Sequence, residues 1–295
     1  MPTPWEKEEF HVAISWRNKA IRGELNPISC VSTWMDVCGF GGMLKASQWD
    51  LMSLQKSGAL ELLSEVYERV GHSFWTNLPP MAYENVLIIN DGVARTVDLD
   101  KPEYIQASSA IFYIRDLVLG HLSLLRLTEQ YGVGIRTVLA GGERIQYSPE
   151  IYTGNSFLYH GEEPNEHNKQ LLEKNFLYNP AEFQMNTAFA KAYSIDAQGT
   201  KSGFNVKGFF VEKTFFEKFE EIDGLDIFTT EDSVLITHKS NPALELYIQS
   251  SVTAELNGLS CDVFSISALR VDASFEGEET LIDLINFQLP STTVI

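Results

Sequence analysis

Two aspartates, Asp36 and Asp91, each lie at the end of an apolar run and beside glycine. The run Ile28–Met35 leads into Asp36, and a Gly-Phe-Gly-Gly turn follows at residues 39–42. Asp91 stands in an Asn-Asp-Gly turn after Val86–Ile89. A carboxylate at such a point can hold a divalent cation, and glycines let backbone N–H groups approach phosphate oxygens. The pattern is typical of a site that binds a metal ion and a phosphate together.

The two carboxylates converge if the two apolar runs are adjacent strands of one sheet. Asp36, Asp91 and the backbone carbonyl of Val37 would then form a hard oxygen site for paired Mg²⁺ or Mn²⁺. Two such ions about 4 Å apart can activate an attacking oxygen and stabilise charge on the phosphate that it attacks. The alternative makes Asp36 a helix N-cap and Asp91 an ordinary turn residue. Taken together, the two aspartates favour the metal interpretation.

Hydrophobic periodicity predicts the elements that position these residues. In the first half it indicates two strands, two long helices and a hairpin around Asn-Asp-Gly. They are predicted as strand 28–37, helix 46–70, hairpin 86–97, helix 107–131 and strand 132–139, turned by Gly141-Gly142.

The second half predicts a further helix and then a separate module. A helix is expected over 180–193, another is possible over 166–175, and the Gly/Ser/Thr-rich segment 197–203 reads as a linker. Short strands around a small helix at 215–221 follow it. We therefore expect an α+β fold with two domains, residues 1–196 and 204–295.

Composition narrows the class of protein. The chain has 295 residues and a formal charge of −18, from 40 acidic and 22 basic residues. Such a charge disfavours binding to nucleic acid or to an anionic membrane. The three cysteines, Cys30, Cys38 and Cys261, have no metal or disulfide spacing and fit a reducing cytoplasm best. The most apolar stretch, 107–127, carries ionisable residues, which predicts a buried helix and no membrane span.

Four motifs in order resemble the class III nucleotide cyclases. Met35–Phe40 resembles their Asp-Ile-x-Gly-Phe motif, and Asn90–Val93 their Gly-Asp-(Gly/Ser)-hydrophobic motif. Gly132–Thr137 is similar to the strand that follows, and Met185–Ala188 to the start of a late Val-Asn-x-Ala-x-Arg helix. The resemblance covers residues 28–195. It implies a ferredoxin-like domain, with helices packed on a mostly antiparallel sheet, that joins the ribose 3′-hydroxyl to the α-phosphate and expels pyrophosphate.

The resemblance also implies roles for residues of the first motifs. Asp36 and Asp91 would hold two Mn²⁺ or Mg²⁺ ions, with the carbonyl of Val37 as a further ligand. The backbone of Phe40 and Gly41 would cradle the triphosphate.

The late motif matches only in part. By the resemblance, Asn186 orients the ribose, and a catalytic arginine should stand at position 190, where this chain has Ala190. Lys191 is the nearest basic residue that could substitute, although a lysine offers a point charge and not a planar fork.

The position that reads the base in purine cyclases also departs, because it is the apolar Leu87. Trp49, expected on the helix after the first motif, could fill the space of a purine, and Arg95 could donate to a pyrimidine carbonyl. A core role for Trp49 and a surface role for Arg95 are the alternatives.

These departures, with the small C-terminal domain, resemble the Pycsar pyrimidine cyclases of bacterial antiphage defence. That resemblance implies a homodimer that converts UTP to 3′,5′-cyclic UMP, with a C-terminal sensor domain. UTP is favoured over CTP because arginine is only a donor and uracil offers acceptors. A cytidylate or purine cyclase and a non-catalytic nucleotide sensor stay open as alternatives.

Overall fold

The computed structural model describes residues 8–71, 84–100, 105–146 and 180–286. They form eight helices and one large sheet. The described helices, in chain order, are α1 (Glu8–Arg22), α2 (Phe40–Ala46), α3 (Leu51–Lys56), α4 (Ala59–Gly71), α5 (Ala107–Glu129), α6 (Thr187–Asp196), α7 (Lys213–Phe219) and α8 (Ala273–Glu276), with 3-10 turns at Ala181–Phe183 and Thr200–Ser202.

The sheet has ten strands and is mostly antiparallel. The strands are β1 (Ile28–Cys38), β2 (Glu84–Ile89), β3 (Gly92–Asp98), β4 (Gly134–Arg144), β5 (Phe209–Glu212), β6 (Leu225–Thr229), β7 (Ser233–His238), β8 (Asn241–Leu256), β9 (Leu259–Val271) and β10 (Thr280–Asp283). Their order is β2-β3-β1-β4-β5-β9-β8-β7-β6, with β10 beside β9, and β4 and β5 pair in parallel. The predicted fold class, α+β with a mostly antiparallel sheet, is confirmed.

Helix α5 is buried in the hydrophobic core. Gln106 and Ser109 form a capping box at its start, and the helix then presents apolar side chains on most of its surface. Ile111, Ile114 and Leu117 are at most 2% exposed and pack with residues of β1, β5 and the C-terminal strands. None of the helices in the described ranges is long and apolar enough to cross a membrane.

The single helix predicted over 46–70 is wrong, because three short helices occupy that stretch. Gln48 and Trp49 have positive φ angles of 51° and 60°, which interrupt helical backbone after α2. Asp50 then caps α3 by accepting a hydrogen bond from the Ser53 N–H at 2.7 Å. Gly58, with φ 80°, separates α3 from α4.

Two other element predictions are also corrected. Strand β4 continues through Gly141 instead of turning there, and a Cβ at Gly141 would stand 2.1 Å from the carbonyl oxygen of Thr214. That glycine allows a close approach of two backbones. The helix predicted over 180–193 is a 3-10 turn followed by α6, which begins at Thr187. The helix considered over 166–175 lies outside the described residues.

The chain divides into two compact units. One comprises Met1–Ile28 and Glu143–Thr187, and the other comprises Ser29–Gly142 and Ala188–Ile295. The division predicted at 197–203 stays a prediction. Strands on both sides of that segment belong to the one sheet, since Val138 of β4 pairs with Phe210 of β5.

Candidate metal and phosphate site

Strand pairing brings Asp36 and Asp91 together. Strand β1 pairs with β3 antiparallel, and the register places Asp36 opposite Gly92, the residue after Asp91. The backbone N–H of Val37 donates to the carbonyl oxygen of Asp91 at 3.0 Å. The two aspartates therefore lie at one edge of the sheet, as expected if the two strands were neighbours.

The hairpin turn that carries Asp91 is held from two sides. Asn90 adopts a left-handed conformation with φ 51°, and the hydroxyl of Tyr67 on α4 donates to its carbonyl at 2.6 Å. On the opposite side, the indole of Trp34 lies so close to Gly92 that a Cβ there would stand 2.2 Å from a ring carbon. A glycine is thus required at position 92 by the aromatic ring that lies over it.

We expect Gly92→Ala to displace Trp34 and to destabilise the protein. The added methyl would overlap the indole, so the ring must move, at a cost of about 1–3 kcal/mol in the free energy of unfolding. Urea unfolding measures this cost. Gly41→Ala is the matched control, since a Cβ at Gly41 meets nothing within 4 Å and should change little. Equal stability of the two variants would contradict the close approach.

The pair of aspartates lies in a negative environment. Burial, together with the charges of Asp196 and Asp91, raises the pKa of Asp36 to about 6. Burial and the charge of Asp196 also raise the pKa of Asp91. Without a cation, ionised Asp36 is therefore unfavourable in the folded chain, and a bound divalent ion would relieve that cost.

Asp36 should make metal-free protein less stable as pH rises. Its pKa is higher in the folded chain than the usual 3.9, so its contribution is fully present below about pH 4 and is lost as pH rises through about 6. Asp36→Asn should remove this loss and raise the free energy of unfolding at pH 8 by about 1–3 kcal/mol. Urea unfolding in a chelator at pH 4.5 and pH 8 measures the difference. A variant that follows the wild-type pH dependence would refute the assignment.

The donors fit a hard divalent cation. The Cys38 thiol donates to an Asp36 oxygen at 3.3 Å, and burial raises the pKa of Cys38 to about 12, so the thiol is protonated when no cation is bound. Within the described ranges, no three His, Cys, Asp or Glu side chains form a metal-binding group. An ion between Asp36 and Asp91 would therefore complete its shell with oxygens from the Val37 carbonyl, water or substrate phosphates.

In place of the predicted turn over 39–42, α2 begins at Phe40, and this glycine-rich helix start beside Asp36 is open. Gly39 has φ 112°, and Cβ atoms built on Gly41 and Gly42 would meet nothing within 4 Å. The Phe40 side chain, in contrast, is 4% exposed and packs in the core beside Met35 and Val37. Phe40 anchors the start of α2 through its ring and leaves only its backbone to contact a ligand.

Sequence reasoning missed a buried network beside Asp36. Arg136 on β4 is bonded through Nε to Asp196 at the end of α6, and its Nη2 lies 3.9 Å from an Asp36 oxygen. The second Asp196 oxygen accepts from the indole N–H of Trp34 at 3.2 Å. A basic residue within the apolar strand pattern of β4 was the only signal, because nothing in sequence spacing pairs position 136 with position 196.

Arg95 does not lie with the aspartates. It pairs with Thr33 on β1, and therefore on the opposite face of the sheet from Asp36, which pairs with Gly92. Both ends of its guanidinium fork donate to Glu84, each at 2.6 Å, and the side chains of this pair are 18% and 2% exposed. The expected contact of Arg95 with a base is corrected, because the guanidinium is already satisfied on the other face.

Lys191 also has hydrogen-bond partners other than the aspartates. Its ammonium donates to Glu212 at 2.9 Å and to the hydroxyl of Thr214, which in turn donates to the Gly141 carbonyl at 2.8 Å. The Lys191 and Glu212 side chains are 13% and 3% exposed. This ion pair joins α6 to β5, so the substitution of Lys191 for a catalytic arginine is corrected to a structural role.

The structure neither supports nor excludes the roles predicted for Trp49 and Asn186. Trp49 is neither helical nor in the core, since it lies in the turn after α2 and is 74% exposed. Leu87 pairs with Ala94 and shares the face of Trp34 and Asp36. Asn186 belongs to the other compact unit, is 5% exposed and donates to the Glu182 carbonyl at 3.0 Å. The roles of Trp49 and Asn186 stay predictions.

Comparison with known proteins gives structural likeness alone. No protein-family model and no curated protein matches the chain. The guanylyl cyclase Cya2 is 10% identical with a TM-score of 0.45, over 82% of this chain and 93% of that chain. A dimeric guanylyl cyclase domain of the RhoGC fusion protein from Blastocladiella emersonii is 10% identical with a TM-score of 0.38, over 81% and 94%.

A third similar structure is the guanylate cyclase domain of RhGC from Catenaria anguillulae in complex with GTP. It is 11% identical with a TM-score of 0.37, over 81% of this chain and 96% of that chain. Because the TM-scores lie below 0.5 and the identities near 10%, these similarities establish neither a family nor an activity for this chain.

Proposed function

We propose that this protein is a nucleotidyl cyclase that converts a nucleoside triphosphate to a 3′,5′-cyclic nucleotide and pyrophosphate. The observation that carries the proposal is the pairing of β1 with β3, which sets Asp36 and Asp91 side by side next to the open, glycine-rich start of α2. The four motifs that resemble class III cyclases support it from the sequence. In the reaction the ribose 3′-oxygen bonds to the α-phosphorus, pyrophosphate leaves, and the hydroxyl proton passes to solvent.

The chain's own residues would bind and orient the triphosphate. Asp36 and Asp91 would hold divalent ions, Mn²⁺ or Mg²⁺, which supply Lewis acidity at the reacting phosphate. The backbone of Phe40 and Gly41 would face the triphosphate oxygens, where the missing Cβ of Gly41 leaves room. Asn186 of a second copy of the chain would orient the ribose.

UTP is the substrate that we propose within this class, on the basis of positions 87 and 49. Leu87 is apolar and shares the face of Asp36, so it cannot read a purine edge by hydrogen bonding. Arg95 does not support this choice, because Glu84 binds its guanidinium. The exposed indole of Trp49 stays a candidate for filling a purine-sized space.

A homodimer is part of the proposal. Ala190 stands where the transition-state arginine would be, and Lys191 is held by Glu212. The resemblance implies that ribose and base contacts come from a second copy, so one chain would not complete the site. We place the reaction in the cytoplasm, where the three free, buried cysteines would stay reduced, and its product in second-messenger signalling of antiphage defence.

The second candidate is a nucleotide-binding sensor without chemistry, and Ala190 is the observation that favours it. Isothermal titration with UTP and Mn²⁺, followed by a pyrophosphate assay of the same sample, separates the two. A cyclase binds and releases pyrophosphate, whereas a sensor binds and releases none. The same assay with CTP, ATP and GTP tests the choice of base.

A further inference from the structure

We infer that Arg136 is a positioning residue for Asp36, and that Asp196 and Trp34 hold Arg136 in place. The inference rests on the proposed function for its meaning in turnover, but its geometry stands on the described residues. It assigns a role in building the metal site to three side chains that do not themselves bind the metal.

Each nitrogen of the Arg136 guanidinium has its own partner. Nε donates to Asp196, Nη1 donates to the Phe204 carbonyl at 3.1 Å, and Nη2 lies 3.9 Å from the Asp36 carboxylate. The Arg136 side chain is 8% exposed. A planar fork fixed by two hydrogen bonds cannot swing, so the third nitrogen presents its charge to Asp36 at a fixed place.

Both carboxylate oxygens of Asp196 are hydrogen-bonded. One oxygen accepts from Arg136 and the other from the Trp34 indole. Trp34 and Asp36 are two residues apart on β1 and therefore share a face of the sheet. The end of α6 is thus tied to the strand that carries Asp36, both through Trp34 and through Arg136. Tyr193 and Phe189 of α6 pack against the same indole, with ring centroids 5.2 and 6.1 Å away.

The charges suit a positioning role. Arg136 and Asp196 together are neutral, so the pair orients Asp36 without neutralising the negative site that a cation needs. Arg136 and the Cys38 thiol both approach the same Asp36 oxygen, Oδ2, which leaves Oδ1 for a metal ion. Partners that orient a ligating carboxylate in this way typically contribute 10–100-fold to metal affinity or activity.

The test uses Mn²⁺ as probe on the full chain. Arg136→Met with Asp196→Asn removes the pair and keeps the net charge. We expect its Mn²⁺ affinity, from electron paramagnetic resonance, to fall about 10-fold and the signal of the bound ion to broaden. The single variant Arg136→Lys should lose less Mn²⁺ affinity than the double variant, since lysine keeps the positive charge but lacks the planar fork. Arg270→Met with Glu245→Gln is the control, an ion pair of β8 and β9 that is also removed without change of net charge.

Wild-type affinity and signal in the Arg136→Met/Asp196→Asn variant would overturn the inference. An affinity loss in the Arg270→Met/Glu245→Gln control as large as in the test variant would also overturn it, because the effect would then be general destabilisation. Circular dichroism confirms that each variant is folded, and the single Asp196→Asn variant serves if the double variant is not. If wild-type protein binds Mn²⁺ through Asp36 but turns over no nucleotide, the proposed function fails while this inference is still tested by the affinities.

Discussion

Asp36→Asn is expected to lower nucleotide cyclisation by about 1000-fold or more. The amide keeps the shape of the side chain but removes the negative charge that holds a divalent ion beside Asp91. Loss of metal-based stabilisation of several kcal/mol in the transition state corresponds to a factor of this size. Initial rates of pyrophosphate release, measured at several Mn²⁺ concentrations, give the effect, and Asp91→Asn should match it.

Three measurements distinguish loss of metal binding in Asp36→Asn from loss of the folded structure. The Asp36→Asn protein should be at least as stable as wild type in chelator at pH 8, since the ionised carboxylate is unfavourable there. Added Mn²⁺ should raise the melting temperature of wild type and not of the variant. Asp262→Asn, at an exposed position of β9, should keep the wild-type rate. An Asp36→Asn protein that turns over at the wild-type rate would end the metal assignment.

Arg95→Met is expected to destabilise the protein by about 3–5 kcal/mol. The substitution leaves the Glu84 carboxylate, whose side chain is 2% exposed, without its bidentate partner. Urea unfolding at pH 7 measures the loss. Adding Glu84→Gln in the same chain should recover most of the stability, because no buried charge then lacks a partner. A double-mutant cycle over the two positions gives the coupling.

The same variants decide between a structural and a base-reading role for Arg95. With Arg95 bound to Glu84, the Arg95→Met/Glu84→Gln variant should keep the wild-type KM for each nucleoside triphosphate. If Arg95→Met instead left stability unchanged and raised the KM for UTP alone, the guanidinium would read the base, and the ion pair would give way when substrate binds.

Local sequence was enough for the parts of the site that depend on neighbours in the chain. The Asn-Asp-Gly turn predicted the hairpin that carries Asp91, and the apolar run before Asp36 predicted β1. Local sequence does not predict that the two strands pair with each other, because strand adjacency depends on the whole sheet. The register of Asp36 opposite Gly92 then places both carboxylates at one edge.

The errors have identifiable physical causes. Arg95 is four residues after Asp91, but Asp91 itself lies in the turn before β3 begins at Gly92, so a period of two counted from Asp91 does not give the face of Arg95. The helix expected over 46–70 was broken by positive φ angles at Gln48 and Trp49, positions where side-chain pattern shows no signal. The contact between Arg136 and Asp196 is not predicted from the sequence, because tertiary packing brings the two residues together and no motif links them.

The most direct test of the account is product analysis of the wild-type protein with Mn²⁺ and each of UTP, CTP, ATP and GTP. We expect pyrophosphate and an equimolar 3′,5′-cyclic nucleotide, identified by mass spectrometry, with UTP as the preferred substrate and with no product from the Asp36→Asn protein. Absence of both products with all four nucleotides, from protein that binds Mn²⁺ and nucleotide, would contradict the claim that this site is a cyclase.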